Sequence, residues 1–266
     1  MHLFDGQRQQ KRSDRIGIAL LSGVALAALG IGVGVVWSLP VERDAATGCL
    51  KNQKAGTLHI ALVDTTDPYP AADTAVLKSS MQALAMSIAV DDRLTVIGFD
   101  GRDAPPVVAF DACKPRQGKD TSALTENSHK ADRRFASAWL APLSSTIDKL
   151  TNITSSAQWT HLSAYLGTVA AWAKAKGQAD TIVIHAWTDA GEHAPEGTLL
   201  SGRRKPMDAT SFVKYFADTT RGRLAGVTLD FRIMQTATAK GSEARIRSAF
   251  ERALKEAGVA YTWRLE

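Results

Sequence analysis

The sequence lacks the short motifs that identify the common enzyme classes. It contains no G-x-S-x-G nucleophile elbow, no phosphate-binding P-loop and no H-E-x-x-H zinc motif. It has only two cysteines, Cys49 and Cys113, and no C-x-x-C pair, which argues against a cysteine-ligated metal. The net charge of +5 over 266 residues is too small for a nucleic-acid footprint, so we expect no nucleic-acid partner.

A long apolar run near the start of the chain predicts a membrane anchor. Residues 16–39 carry no charge, and as a helix they would span about 36 Å, enough to cross a bilayer with some tilt. The run is roughly twice the length of a signal-peptide core, and residues 36–40 offer no small-x-small cleavage site. An uncleaved anchor is therefore favoured over a cleaved signal. Gly30 and Gly34 form a G-x-x-x-G pair that permits a homodimer through this helix.

Basic residues around the run predict its orientation. Residues 8–15 hold four Lys or Arg side chains, whereas residues 40–47 hold only Arg43. By the positive-inside rule the N-terminus is cytoplasmic. For a chain of bacterial composition, the C-terminal domain then lies in the periplasm, anchored in the inner membrane. The predicted organisation is a basic cytoplasmic tail, a transmembrane helix, a linker and an α/β domain, at residues 1–15, 16–39, 40–56 and 57–266.

Both cysteines follow the predicted anchor, and each lies beside a loop that contains Gly or Pro. An even count in an oxidising compartment indicates one disulfide, Cys49 to Cys113, with two unpaired thiols as the alternative. Closing a loop of about 65 residues would stabilise the fold by about 4 kcal/mol in the chain-entropy model. The bond would also attach the linker to the domain.

Apolar runs alternate with stretches of helical spacing over the rest of the chain. The predicted strands are residues 57–63, 93–99, 107–110 (an edge strand), 181–187, 227–233 and 259–264. The predicted helices are residues 71–90, 132–150, 160–176, 211–218 and 242–257, with Thr160 as the N-cap of the third. This alternation predicts an α/β domain with a mostly parallel sheet and helices on both faces.

Three polar clusters accompany these elements. One follows the first strand at residues 64–68, one opens the third helix at residues 160–163, and one follows the central strand at residues 188–191. In open parallel sheets, ligands bind where the carboxyl ends of strands meet and the loops splay apart. We therefore expect the three clusters to form one site.

The clusters resemble a von Willebrand factor A (vWA) domain, whose metal-ion-dependent adhesion site combines a D-x-S-x-S loop with a distant Thr and a distant Asp. Here the first loop supplies Asp64 and Thr66, Thr160 matches the distant Thr, and Asp189 matches the distant Asp. The likeness covers about residues 57–264. It implies a Rossmann-like vWA fold and an Mg²⁺ site at these four residues that accepts an acidic side chain from a protein partner.

The first loop departs from the family's pattern at its last position. Pro68 stands where the second hydroxyl is expected and offers no side-chain ligand, while Asp67 adds a candidate accessory acid. Mg²⁺ prefers octahedral oxygen ligands and retains several waters, so a reduced set of protein ligands can still hold it. The alternative is a degenerate site in which Asp64 and Asp189 only cap loops and helices.

The sequence favours a binding module over an enzyme. The favoured function is protein–protein interaction within a membrane-associated envelope assembly. The alternative is a membrane-anchored hydrolase that uses Asp64 and a histidine, with His161, His185 and His193 as candidates beside Asp189. His185 lies within an apolar strand, which is typical of a buried structural histidine. The two functions differ in geometry, because a hydrolase must bring His161 or His193 within hydrogen-bond distance of a carboxylate.

Overall fold

The computed structural model describes residues 42–102, 104–121, 127–153, 157, 159–201, 205–234 and 239–266. The predicted cytoplasmic tail and transmembrane helix, residues 1–15 and 16–39, lie outside these ranges, as do the first two residues of the predicted linker. Within the described ranges, no helix is both long and apolar enough to span a membrane. Residues Arg43–Glu266 form one compact unit.

Strands and helices alternate along this unit, as predicted. The strands are β1 (Ala55–Asp64), β2 (Arg93–Phe99), β3 (Val108–Cys113), β4 (Ala179–Thr188), β5 (His193–Ala194), β6 (Gly197–Thr198), β7 (Val227–Ile233) and β8 (Ala260–Leu265). The α-helices are α1 (Ala71–Ser87), α2 (Ser128–Phe135), α3 (Ala141–Thr151), α4 (Leu162–Lys176), α5 (Ala209–Thr220) and α6 (Glu243–Glu256). A 3₁₀ helix spans Gly118–Asp120, and a π-helical segment, Ala136–Leu140, joins α2 to α3.

Six strands form one sheet in the order β3-β2-β1-β4-β7-β8. All neighbouring strands pair in parallel except β2 and β3, so β3 is an antiparallel edge strand. This is the doubly wound order, in which the strand sequence reverses direction between β1 and β4 and opens a crevice at their carboxyl ends. The predicted mostly parallel, Rossmann-like and vWA-like α/β fold is confirmed.

Each face of the sheet buries an apolar core. One face packs against α4, α5 and α6, where Ile184 from β4 belongs to the same cluster as Phe212 and Phe250. The opposite face packs against α1, α2 and α3, with Trp187 from β4 and Trp139 from the π-helical segment fully buried. Successive residues of a strand point to opposite faces, which is why β4 supplies apolar side chains to both cores.

The single helix predicted at residues 132–150 is three segments. The chain runs from α2 through the π-helical segment into α3, and Pro142 occupies the first turn of α3. Proline has no backbone N–H and its ring displaces the preceding turn, so the α-helical hydrogen-bond ladder cannot continue unchanged through this point. A π-helical turn accommodates the break.

The predicted disulfide is confirmed. Cys49 and Cys113 are bonded across a sequence separation of 64 residues. The neighbouring chain is held as well, since Arg43 Nη1 lies 2.6 Å from Asp91 Oδ1 and the backbone N of Cys113 donates to Thr47 O at 2.9 Å. These contacts fix residues 43–50 at the amino-terminal edge of the sheet, opposite the edge that carries the polar clusters.

Candidate functional site at the carboxyl edge of the sheet

Asp64 ends β1 and is buried at the carboxyl edge of the sheet. Its Oδ1 accepts hydrogen bonds from the backbone N of Thr66 at 3.0 Å and from Thr66 Oγ1 at 2.6 Å. Its Oδ2 accepts a hydrogen bond from Thr188 Oγ1 at 2.6 Å. The hydroxyl of Tyr69 donates to the backbone O of Asp64 at 2.5 Å. The loop therefore folds back over Asp64 and fixes the orientation of its carboxylate.

Asp189 follows β4 in a sharp turn. Its Oδ1 accepts a hydrogen bond from the backbone N of Gly191 at 2.7 Å, and Thr188 Oγ1 accepts one from the backbone N of Ala190 at 2.9 Å. Ala190 has a φ of 55°, in the left-handed region that a residue with a Cβ adopts only at a cost. A Cβ on Gly191 would lie 2.8 Å from Asp189 Oδ1, so a larger residue there would displace the Asp189 carboxylate from its present position.

The two buried acids interact electrostatically. Burial, followed by the negative charge of Asp189, raises the pKa of Asp64 to about 7, against hydrogen bonds from Thr188 and Thr66 that lower it. Among the described side chains, those bonded to the carboxylate of Asp64 are the hydroxyls of Thr66 and Thr188. The site thus concentrates acidic groups and hydroxyls, with negative charge that is costly to bury.

Thr160 reaches this edge through its main chain. Its N donates to His193 O at 2.8 Å, and the backbone N of His193 donates to Thr160 O at 3.0 Å. The backbone N of Ala157 donates to Thr66 O at 3.2 Å, so the segment also touches the loop after β1. The structure therefore brings all four predicted ligands, Asp64, Thr66, Thr160 and Asp189, into one loop cluster.

The prediction that Thr160 caps α4 is wrong. The helix begins two residues later, with His161 at the N-cap position and no side-chain cap from that residue. The cap comes from across the site, where Glu192 Oε2 accepts hydrogen bonds from the backbone N of Ser163 at 2.9 Å and from Ser163 Oγ at 2.7 Å. Pairing with His193 places Thr160 in an extended bridge ahead of the helix, which explains the shift.

Glu192 is the site residue that the sequence did not reveal. It is fully buried, and its Oε1 accepts a hydrogen bond from the hydroxyl of Tyr215 at 2.9 Å. Burial and, to a smaller extent, the charge of Asp64 raise the pKa of Glu192 to about 7, against hydrogen bonds from Ser163 and Tyr215 that lower it. The sequence shows only that Glu192 lies three residues after Asp189. It does not show that Glu192 contacts Ser163 and Tyr215, which are distant in sequence.

The other two residues of the first loop differ in exposure. Asp67 is half-buried, while Pro68 is exposed and contributes no oxygen ligand. The loop therefore supplies one carboxylate and one hydroxyl beside an accessory acid at its rim.

The oxygen donors at this edge fit a hard divalent cation that keeps much of its water. Hydrogen bonds from three protein donors occupy part of the acceptor capacity of Asp64, and the rest stays available. A cation would also relieve the repulsion between Asp64 and Asp189. Across the described ranges, no group of three or more His, Cys, Asp or Glu side chains is arranged to hold a metal, so hydroxyls and water would complete the shell.

A cavity of about 280 Å³ opens beside Asp189. Ile233 and Met234 from the end of β7, together with Trp263 and Leu265 from β8, supply much of its wall. Leu265, near the end of the chain, is 66% exposed, so its side chain forms the open rim of the recess. The acidic loops thus border an apolar recess at the same edge of the sheet.

His185 lies inside the sheet, away from this edge. Its Nδ1 is 2.8 Å from Asp230 Oδ2, and its Nε2 is 3.1 Å from His59 Nδ1. This places His185 in a buried polar network within the strands, as expected of a structural histidine. His161 and His193 join the loop cluster through backbone amides. The histidine–carboxylate pair formed by His185 and Asp230 therefore lies outside the loop cluster that a hydrolase would use.

No protein-family model and no curated protein matches the chain. Among solved structures, the chain is similar to an aerotolerance-related membrane protein of Bacteroides fragilis, with 12% identity, a TM-score of 0.36 and coverage of 79% of this chain and 92% of the other. BatB of Bacteroides thetaiotaomicron shows 13% identity and a TM-score of 0.38 over 80% and 90% of the two chains.

Another similar structure is that of manganese-loaded TRAP protein of Plasmodium vivax. The identity is 10% and the TM-score 0.34, over 79% of this chain and 69% of the other. Values this low do not transfer the function of any of these proteins to this chain. The vWA-like fold is established instead by the strand order and by the helices on both faces of the sheet.

Proposed function

We propose that the chain is a membrane-anchored vWA-like module that binds protein partners at the carboxyl edge of its sheet, within a bacterial envelope assembly. The observation that carries the proposal is the convergence of two buried acids, Asp64 and Asp189, with hydroxyl-bearing loops at the crevice of a doubly wound sheet. In this arrangement a divalent cation, Mg²⁺ in the first instance, is held by Asp64, Thr66, Thr160 and Asp189.

A bound cation would supply the positive charge that attracts an acidic side chain of the partner. The residues of this chain orient the ligands. Thr66 and Thr188 orient the carboxylate of Asp64, and Gly191 holds that of Asp189. Burial at the base of the loops keeps competing water away from both acids.

The apolar cavity beside Asp189 adds a second element of recognition. Its walls of Ile233, Met234 and Trp263 suit a bulky apolar side chain, while the acidic loops lie at its border. The partner segment proposed here therefore carries a large apolar residue next to an acidic one.

The location of the domain supports this role. The predicted anchor and the basic residues before it favour a periplasmic domain attached to the inner membrane. The bonded Cys49 and Cys113 are in keeping with an oxidising compartment. The contacts of residues 43–50 hold the start of the domain at the amino-terminal edge of its own sheet, opposite the proposed binding edge. Anchoring also raises the local concentration of partners in the same membrane.

The test is capture of partners from detergent-solubilised envelopes by the full-length chain. The wild type should retain the same proteins in Mg²⁺ and release them in chelator, and Asp189→Asn should fail to retain them in either condition. Asp180→Asn is the matched control, since Asp180 is an exposed acid at the amino-terminal edge of the sheet and its loss should leave binding as in the wild type. Retention that is equal in Mg²⁺, in chelator and with Asp189→Asn would overturn the cation-dependent site.

The contribution of the cavity is tested separately. Ala244 is exposed on α6 and lines the cavity, so Ala244→Trp should block it without disturbing the core. Ser248→Trp, one turn further along and outside the cavity lining, serves as the control. Partner retention should fall with Ala244→Trp only. Equal retention by both variants would exclude the cavity from recognition.

A further inference from the structure

Glu192 connects three elements that meet at the candidate site. Through Oε2 it holds the first turn of α4 at Ser163, and through Oε1 it holds α5 at Tyr215. Its backbone O accepts hydrogen bonds from Leu199 N at 3.0 Å and from Thr198 Oγ1 at 3.1 Å. These bonds anchor the loop after β4 to the β5–β6 hairpin and to both helices.

The same residue stands between the two distant ligand positions. Asp189 lies three residues before it, and His193, which follows it directly, pairs with the backbone of Thr160 in both directions. Ser163, which Glu192 holds, lies three residues after Thr160. Residues 189–193 are therefore joined to residues 160–163 by two sets of hydrogen bonds. One set pairs the backbones of His193 and Thr160, and the other joins Ser163 to the carboxylate of Glu192.

The chemistry of this contact makes Glu192 hard to replace. Both carboxylate oxygens accept hydrogen bonds, and the three donors are the amide and hydroxyl of Ser163 on α4 and the hydroxyl of Tyr215 on α5. A glutamine has one oxygen and one N–H₂ group, so it keeps the bonds from Ser163 only if the Tyr215 hydroxyl turns from donor to acceptor. The charge-assisted bonds of the carboxylate are then replaced by weaker neutral ones, and full burial prevents water from compensating.

We propose that Glu192 is a positioning residue, which sets the spacing between the Thr160 and Asp189 segments and thereby the affinity of the site for a divalent cation. The part of this inference that concerns cation affinity rests on the proposed function. In other proteins, mutating a residue that orients a metal ligand without itself touching the metal lowers metal affinity by about tenfold to hundredfold. Glu192 acts in the same manner here, without contacting the cation.

The cation arm of the test uses Mn²⁺ alone as the probe, titrated calorimetrically into the full-length chain. Glu192→Gln should raise the Kd by about tenfold. Tyr215→Phe keeps the charge of Glu192 and removes one of its donors, so a several-fold rise in this variant separates positioning from the mere loss of a negative charge. The control is Asp111→Asn, which breaks an ion pair with Arg93 at the opposite edge of the sheet and should leave the Kd unchanged.

The second arm needs no cation and measures backbone hydrogen exchange. The amides of Thr160 and His193, which bond to each other's carbonyls, should exchange at least several-fold faster in Glu192→Gln and in Tyr215→Phe than in Asp111→Asn. Unchanged exchange at these amides would overturn the positioning role, as would an unchanged Mn²⁺ affinity in Tyr215→Phe. A wild type that binds no Mn²⁺ would refute the cation site and the affinity claim for Glu192 together, whereas the exchange arm would still decide whether Glu192 positions the loops.

Discussion

Replacing Asp64 with asparagine should stabilise the domain when no cation is present. Burial, together with the charge of Asp189, raises the pKa of Asp64 from 3.8 to about 7. The folded state therefore binds the proton more tightly than the unfolded chain does. The resulting stability is full at low pH and is lost as the pH rises from about 4 to about 7. At pH 8 the ionised carboxylate of Asp64 destabilises the fold.

The magnitude follows from the shift. At about 1.4 kcal/mol for each pKa unit, a rise of about three units corresponds to an upper bound of about 4 kcal/mol. Asparagine removes this penalty but loses one of the three hydrogen bonds that the carboxylate accepts, at a cost of about 1 kcal/mol. We expect a net gain of about 1 to 3 kcal/mol, or about 3 to 10 °C in Tm for a domain of this size.

The assay is thermal unfolding in chelator between pH 5 and pH 8, comparing the wild type with Asp64→Asn and with the control Asp67→Asn. The stabilisation of Asp64→Asn should grow toward pH 8 and shrink toward pH 5, while Asp67→Asn should stay within about 0.5 kcal/mol of the wild type. A Tm for Asp64→Asn at or below that of the wild type at pH 8 would refute the claim that the site holds uncompensated negative charge.

Three further outcomes are expected. Burial and the neighbouring His185 lower the pKa of His59 to about 4, so stability should be lost as the pH falls from 6.5 to about 4, by up to about 3 kcal/mol; urea denaturation should show this slope flattened in His59→Gln, and an unaltered slope would contradict it. Reducing the bond between Cys49 and Cys113 should lower the free energy of unfolding by about 4 kcal/mol in the chain-entropy model; chemical denaturation with and without reductant measures this, and equal midpoints would count against it. Protease added to spheroplasts should digest the domain and spare the tail at residues 1–15, and a protected domain would reverse the predicted orientation.

Local patterns predicted much of the sheet. The strands expected at residues 93–99 and 227–233 have those bounds in the structure, because the first is a mostly apolar run and the second alternates apolar with polar residues. The edge position of the strand after Pro105-Pro106 was also foreseen, although it extends to Cys113. The convergence of Asp64 and Asp189 followed from fold class, since loops after neighbouring parallel strands share one edge.

The sequence could not show contacts that depend on distant partners. The N-terminal cap of α4 comes from Glu192, 29 residues away from Ser163, and a search for a local cap selects Thr160 instead. The β5–β6 hairpin has two residues in each strand, too few for a periodic pattern to be recognised. The π-helical segment was missed because helical spacing continues across Pro142, and only the lost N–H changes the ladder.

The most direct test of the proposed site is a count of bound Mn²⁺ by electron paramagnetic resonance of the full-length protein. Free Mn²⁺ gives a sharp signal that is broadened on binding, so a titration yields both stoichiometry and affinity. The account predicts one bound ion per chain in the wild type, competition by Mg²⁺, and loss of the bound ion in both Asp64→Ala and Asp189→Ala. Absence of bound Mn²⁺ in the wild type, or binding that persists in both variants, would contradict it.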